Sequence, residues 1–232
     1  MPPRDLSIVN FVGLLRQVST PQIKASLFAE RTQTPLDRAL KRLVAGRFLS
    51  RVGRRHSHES LGGIGPYVYQ LGPKGWALLG KRGRYWPYRA VNEHMLCVGD
   101  VFVGLIAAER QGLLKLLRYG LEQPIGDAQA DIYVELDTGQ PEPNGYYLEV
   151  DLGTERPSRI REKCAAYWRA YDNSTAPTFP YVVFVVPDKW RYDELGRILR
   201  RLPDKQQVLF KVFQFKELLD ALTLVSYPQE QI

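Results

Sequence analysis

Glu149 and Asp151 stand two residues apart in the run Tyr147-Leu148-Glu149-Val150-Asp151, where apolar and polar side chains alternate. Alternation of period two marks a half-buried strand, and side chains two apart on a strand share a face. The two carboxylates therefore project together, with Leu148 and Val150 on the buried side. An upstream run, Ala130 to Leu136, alternates in the same way, and residues 138–145 between the two are dense in turn formers. The pair reads as a hairpin. A register that sets Asp131 opposite Asp151 would bring Asp131, Glu149 and Asp151 onto one face, because cross-strand partners share a side. Three carboxylates so placed repel one another unless a cation sits between them, which makes a divalent-metal site. The plainer alternative is a solvated outer face of an antiparallel sheet.

After Pro157 the pattern changes to helical spacing, with Ile160, Cys164, Tyr167 and Tyr171 forming an apolar stripe. Lys163 lies one turn before Tyr167. Near paired carboxylates its ammonium could polarise a phosphate or orient a water; otherwise it is a surface lysine paired with a neighbouring acid.

These residues need a scaffold, and the chain is long enough to supply one. It has 232 residues, 44% of them apolar, enough for one large domain or two small ones with real cores. No window of eighteen apolar residues exists, and the first residues lack the basic-then-apolar pattern of a secretion signal, so a cytoplasmic protein without a membrane partner is expected. The two cysteines, Cys97 and Cys164, lie far apart in helical, apolar contexts that suit reduced thiols better than a disulfide or zinc site.

Charge divides the chain. Through Tyr88 there are fifteen Lys and Arg against four acids, about +11, and the remainder carries about −4, giving +7 in all. The basic half is the half that meets an anion, and nucleic acid is the partner it favours. Its architecture agrees. Leu6 to Arg16 has helical apolar spacing, Ser19 or Thr20 caps a second helix with Pro21 in its first turn, and a third helix runs from Pro35 to about Ala45, with Gly46 as its stop. Two strands follow, Phe48 to Val52 and Tyr67 to Leu71, joined by a basic, glycine-rich loop. Three helices and a two-stranded arm make a winged helix-turn-helix. The third helix would enter the major groove of duplex DNA, with Arg38, Lys41, Arg42 and Arg47 reaching bases or phosphates, and the wing residues Arg54, Arg55 and His56 would follow the backbone. His56 and His58 without a third ligand make weak evidence for a metal.

The run Lys81 to Arg89 interleaves basic and aromatic residues, as single-strand binders do, but reads first as a linker with packed aromatics. Beyond it come a long helix from Asn92 to Arg110, a strand near Leu113 to Tyr119, the hairpin, the Pro157 helix, the strand Tyr181 to Val186, a helix near Tyr192 to Leu202 and a strand Val208 to Phe213. Nearly continuous apolar strands alternating with helices imply a mixed central sheet between helices. The fold class expected is α+β, divided into residues 1–80, a linker over 81–90, and residues 91–232. Neither a glycine-rich phosphate loop nor a GxSxG motif is present, so no nucleotide or organic cofactor is expected.

The combination of a winged helix, a helix carrying Glu93 and Asp100, a strand bearing Asp131, and Glu149-Val150-Asp151-Leu152-Gly153-Thr154-Glu155 followed by Lys163 and Tyr167 resembles the replication-relaxation family of bacterial plasmids and mobile elements. The carboxy-terminal part is similar in layout to the restriction-endonuclease-like, PD-(D/E)xK superfamily. That resemblance implies Mg²⁺ or Mn²⁺ held by Asp131 and Glu149, with Asp151 and Glu93 as further acids, and hydrolysis of DNA phosphodiesters with Lys163 neutralising phosphate. The chain departs from the pattern at position 151, where aspartate replaces the usual lysine, and at Ala130, where proline is usual. Two readings follow. Either Lys163 supplies the missing ammonium from the helix and the domain cuts DNA, or the domain is a nuclease scaffold used only for binding by a regulator or replication accessory factor. A homodimer on paired half-sites, and a relaxase or replication protein as a further partner, are the associated expectations.

Overall fold

The computed structural model describes residues 1–55, 65–139 and 144–224. In chain order the elements are α1 (Pro3–Leu15), β1 (Val18–Ser19), α2 (Thr20–Leu27), α3 (Gln33–Ala45), β2 (Leu49–Arg54), β3 (Tyr67–Leu71), α4 (Pro73–Leu78), α5 (Glu93–Arg110), β4 (Lys115–Ile125), β5 (Ala128–Asp137), β6 (Asn144–Val150), α6 (Pro157–Asp172), β7 (Tyr181–Val186), α7 (Lys189–Leu199), α8 (Asp204–Gln207), β8 (Phe210–Gln214) and α9 (Leu218–Leu224). The fold is α+β, with a first set of helices followed by a five-stranded mixed sheet.

The chain divides into two compact units, Met1–Val103 and Gly104–Ile232. The boundary falls inside α5 and not at residues 81–90, because the first turns of α5 are tied to the winged helix. Gln22 donates to Leu96 O at 2.6 Å and to Asp100 at 2.7 Å, and Arg55 pairs with both Glu93 and Asp100. Residues before α5 are held as well, since Gln17 donates to Ala90 O and accepts from Asn92 N.

In the first unit α1 buries Ile8, Val9, Val12 and Leu15, and α3 buries Leu36, Ala39, Leu40 and Leu43 at helical spacing. Each of the Ile, Val and Leu side chains contributes roughly 1.5–3 kcal/mol of transfer free energy. The strands form an antiparallel sheet in the order β1-β3-β2, the arrangement of a winged helix-turn-helix. Ser19 stands before α2 and its N–H donates to Gln22 Oε1 at 2.8 Å, a side-chain cap that satisfies a donor at the helix start. α3 ends at Ala45 with Gly46 as its cap, as the sequence implies. Gly46 keeps a right-handed conformation, and the left-handed residue is Arg47 at φ 62. Phe48 N donates to Leu43 O and Arg47 N to Val44 O, the two bonds of a Schellman motif with arginine in the glycine position.

The second unit is built on an antiparallel meander, β4-β5-β6, continued by parallel β7 and β8. The crossover α6 is opened by Pro157 and lies on the face carrying Tyr147 and Glu149. Its stripe of Ile160, Cys164 and Tyr167 packs with Val182, Phe184, Leu195 and Phe210. The opposite sheet face buries Ile132, Val134, Leu148, Val150, Val183 and Val185. Both cysteines are free thiols, and burial pushes each up to about 12. No helix among the described residues is long and apolar enough to cross a membrane.

Candidate functional site

Two clusters carry chemistry, one in each unit. In the second, the hairpin forms, but its register differs from the one that would converge three acids. Ile132 pairs with Leu148 and Tyr133 with Tyr147, so one step further sets Asp131 opposite Glu149, and Asp131 Oδ2 accepts the Val150 N–H at 2.8 Å. Asp151 lies past the end of β6, where its N–H donates to Val185 O at 2.9 Å. A shift of two residues preserves the shared face of Asp131 and Glu149, while Asp151, past the end of the strand, is drawn away from them by Arg191.

Asp151 has a different partner. Its two oxygens accept from Arg191 Nε at 3.0 Å and a terminal Arg191 nitrogen at 2.7 Å, and Oδ1 also accepts from Gly153 N, which sits in a left-handed turn at φ 81. Both side chains are almost wholly buried, and the same guanidinium donates to Glu155 O and Glu194. Asp151 thus fastens α7 to the end of β6. Nothing in the sequence around Arg191 marks it for this role, forty positions from its partner.

Glu149 is 2% exposed, and both its oxygens are engaged. Lys163 Nζ donates to Oε2 at 3.0 Å and Tyr167 O–H donates to Oε1 at 2.5 Å. Lys163 also meets Glu155 Oε1 at 3.0 Å, so the cation between carboxylates is the lysine's own ammonium. Burial pushes the Glu149 carboxyl up to about 7; Lys163 opposes the rise and Asp131 adds to it. Burial works against the Lys163 charge, yet Glu149 and Glu155 more than offset it and hold the ammonium above its usual range. The Tyr167 hydroxyl is raised by burial and by Glu149, which keeps it a donor. Tyr167 and Glu155 belong to the cluster although spacing placed the first only in the apolar stripe and the second in no role.

Glu93 lies in the first unit and accepts from Arg55 at 2.6 Å. Among the described residues no group of three or more His, Cys, Asp or Glu is arranged to hold a metal ion. With Glu149 bound by Lys163 and Tyr167, and Asp151 by Arg191, this donor set does not fit Mg²⁺ or Mn²⁺.

The first unit holds a groove of about 720 Å³ lined by Lys24 of α2, Gln33, Asp37 and Lys41 of α3, and Arg51, Arg54, Tyr67 and Tyr69 of the wing strands. Arg51 and Arg54 lie over the Tyr67 ring at 4.4 and 3.8 Å, which holds two cations at the groove wall. Arg54 also donates to Gly65 O. Of the expected DNA-contacting residues, Lys41 and Arg54 line this groove, and Arg38 and Arg47 are exposed at α3 and its end. Arg42 and Arg55 are turned to other work. Arg42 makes a two-pronged pair with buried Asp5 of α1, and Arg55 bridges Glu93 and Asp100. His56 and His58 lie outside the described residues. Lys24, Arg51 and Tyr67 were not singled out by spacing; Arg51 and Tyr67 are visible only as strand residues until β2 pairs with β3.

A comparison with protein families matches the replication-relaxation family over residues 10–182. The chain belongs to the replication-relaxation family. The match spans most of the first unit, the meander and α6, so it takes in the groove residues and Asp131, Glu149, Glu155, Lys163 and Tyr167, while Arg191 lies beyond it. Membership points to a role in the replication of plasmids or other mobile elements, with DNA or replication-associated molecules as partners. Neither curated proteins nor solved structures give a match to the chain.

Proposed function

We propose that this replication-relaxation protein binds duplex DNA of a plasmid or mobile element through its winged helix, and that its second unit is a nuclease-like scaffold that does not cut. The observation that carries the reading is the groove between α2, α3 and the wing, where Lys24, Lys41, Arg51 and Arg54 converge. Cations in a groove beside the exposed face of α3 suit a phosphate backbone, and Arg38, exposed on the same helix, would reach into the major groove. Support for a binding role in the second unit comes from its acids. Glu149 and Asp151 give their oxygens to Lys163, Tyr167 and Arg191, contacts that close a fold. Two copies on paired half-sites, together with a replication protein or relaxase, complete the assembly this reading implies.

The test combines binding and cleavage. Purified protein should bind duplex DNA with a steep loss of affinity as salt rises, because phosphate contacts release counterions. Supercoiled plasmid incubated with Mg²⁺ or Mn²⁺ should remain intact. Metal-dependent nicking that Asp131→Ala and Glu149→Ala both abolish would replace the scaffold reading with a nuclease. Salt-insensitive or absent duplex binding would remove the DNA reading itself.

A further inference from the structure

Between α4 and α5 the chain carries an exposed aromatic that the winged-helix reading leaves unused. Trp86 is 66% exposed. Its neighbours are not loose. The Tyr85 hydroxyl donates to Leu71 O at 3.0 Å, and its ring meets Trp76 edge-on. On the other side, Tyr88 N donates to Gln70 Oε1 at 2.8 Å while Gln70 Nε2 donates back to Tyr88 O. Gln70 belongs to β3 and is buried. Pro87 restricts the one remaining link. A large apolar ring thus stays open to solvent between residues that are themselves fixed on both sides.

The surroundings are cationic. Arg84 and Arg89 flank the Trp86 ring at 6.0 and 5.8 Å, the outer limit of cation–π contact, so the guanidiniums steer toward the ring while leaving most of its surface open. Residues 65–92 contain no acid and include Lys74, Lys81, Arg82, Arg84 and Arg89. An open aromatic face bordered by arginines suits an unpaired base with its phosphates, because every base offers a π-face and single strands offer charge at each step. Stacked duplex bases do not present that face.

We propose that Trp86, with Arg84 and Arg89, is a stacking platform for single-stranded DNA, separate from the duplex groove and additional to it. An origin or transfer site that is opened during replication would then be held by both surfaces, duplex in the groove and unpaired strand on the platform.

The experiment measures binding of the full chain to a labelled oligothymidylate and to a duplex, for wild type, Trp86→Ala, Trp86→Phe and the groove variant Lys41→Glu/Arg51→Glu. Trp86→Ala should weaken oligothymidylate binding roughly tenfold, the scale of one stacked base, and leave duplex affinity unchanged. Trp86→Phe should restore most of the affinity and lose the quenching of tryptophan emission that the oligonucleotide causes in wild type. The groove variant should do the reverse, losing duplex and keeping single strand, so the two surfaces succeed or fail separately. Wild type that ignores oligothymidylate, Trp86→Ala that binds it as wild type does, or Trp86→Ala that loses duplex and single strand alike would each overturn the platform.

Discussion

Lys163 Nζ lies 3.0 Å from Glu149 Oε2, reaching a strand carboxylate from the helix that follows it. The resemblance noted in the sequence implies a lysine on the strand two residues after the acid, where this chain has Asp151. In this chain the ammonium reaches the acid from α6, and Asp151 forms a buried pair with Arg191. The consequence is a closed set of charges. Lys163 answers Glu149 and Glu155, Arg191 answers Asp151 and Glu194, and Tyr167 donates the remaining bond to Glu149.

The first prediction concerns protons. Burial, with Asp131 adding to it, raises Glu149 to about 7 from the ordinary 4.5 that the unfolded chain would show. The folded state holds this proton more tightly, so its contribution to stability is full below about pH 4.5 and is lost as pH rises through about 7. Chemical denaturation of wild type and Glu149→Gln across this window should give curves whose difference slopes by up to ~1.4 kcal/mol per pH unit, wild type losing ground as pH rises. Parallel pH profiles for the two proteins would show that Glu149 does not titrate there.

A second prediction follows from Asp151. Removing one member of a buried ion pair leaves the other charged and unsolvated, which costs about 3–5 kcal/mol. Arg191→Ala should destabilise the second unit on that scale. Arg191→Lys should recover little, because a single ammonium cannot reproduce the fork that spans both Asp151 oxygens. Asp151→Asn combined with Arg191→Met should lose less than Arg191→Ala alone. Thermal unfolding of the four proteins decides it, and an Arg191→Ala protein as stable as wild type would contradict a structural role for the pair.

Arg47 supplies the third. A non-glycine residue in the left-handed region carries strain of about 1–2 kcal/mol, partly offset on substitution by the greater freedom of glycine in the unfolded chain. Arg47→Gly should therefore stabilise the first unit by a few tenths to about 1 kcal/mol. Destabilisation in a urea titration would mean that the arginine side chain earns its place through contacts of its own.

Much of this was legible in the residues, and the rest was hidden for identifiable reasons. The strand Tyr181–Val186 has the bounds its apolar run implies, and the α6 stripe faces the core as its spacing requires. Period and turn chemistry are local, and they set elements. The strand expected near Leu113 to Tyr119 is instead Lys115–Ile125, because its mixed polar composition gives no clear end. α4, α8 and α9 are short, and seven residues or fewer carry too little periodicity to be seen. In the acid cluster, the faces of Asp131 and Glu149 followed from alternation, whereas the partner of Asp151 depended on a register two residues away from the one assumed and on an arginine from α7. The same limit governs the basic unit. Exposure of Arg38 and Lys41 was readable from α3, but the acids that capture Arg42 and Arg55 come from α1 and α5.

The last prediction uses that division among arginines. Arg51 and Arg54 line the groove and stack on Tyr67, so Arg51→Ala and Arg54→Ala should each weaken duplex binding and reduce the salt slope by about one phosphate's worth. Arg42 and Arg55 spend their charge inside the unit, on Asp5 and on Glu93 with Asp100. Arg42→Ala and Arg55→Ala should lower the unfolding temperature and leave the salt slope as it is, the first because buried Asp5 loses its partner, the second because α5 loses its tie to the wing. Arg55→Ala should cost no more than about 1 kcal/mol, because Glu93 and Asp100 are both partly exposed and water takes up the charges it leaves. Affinity measured across a salt series, beside thermal melts of the same four proteins, sorts them. Should Arg42→Ala or Arg55→Ala flatten the salt slope while Arg51→Ala and Arg54→Ala do not, the groove is the wrong surface, and DNA lies instead along the face that carries Arg42 or Arg55.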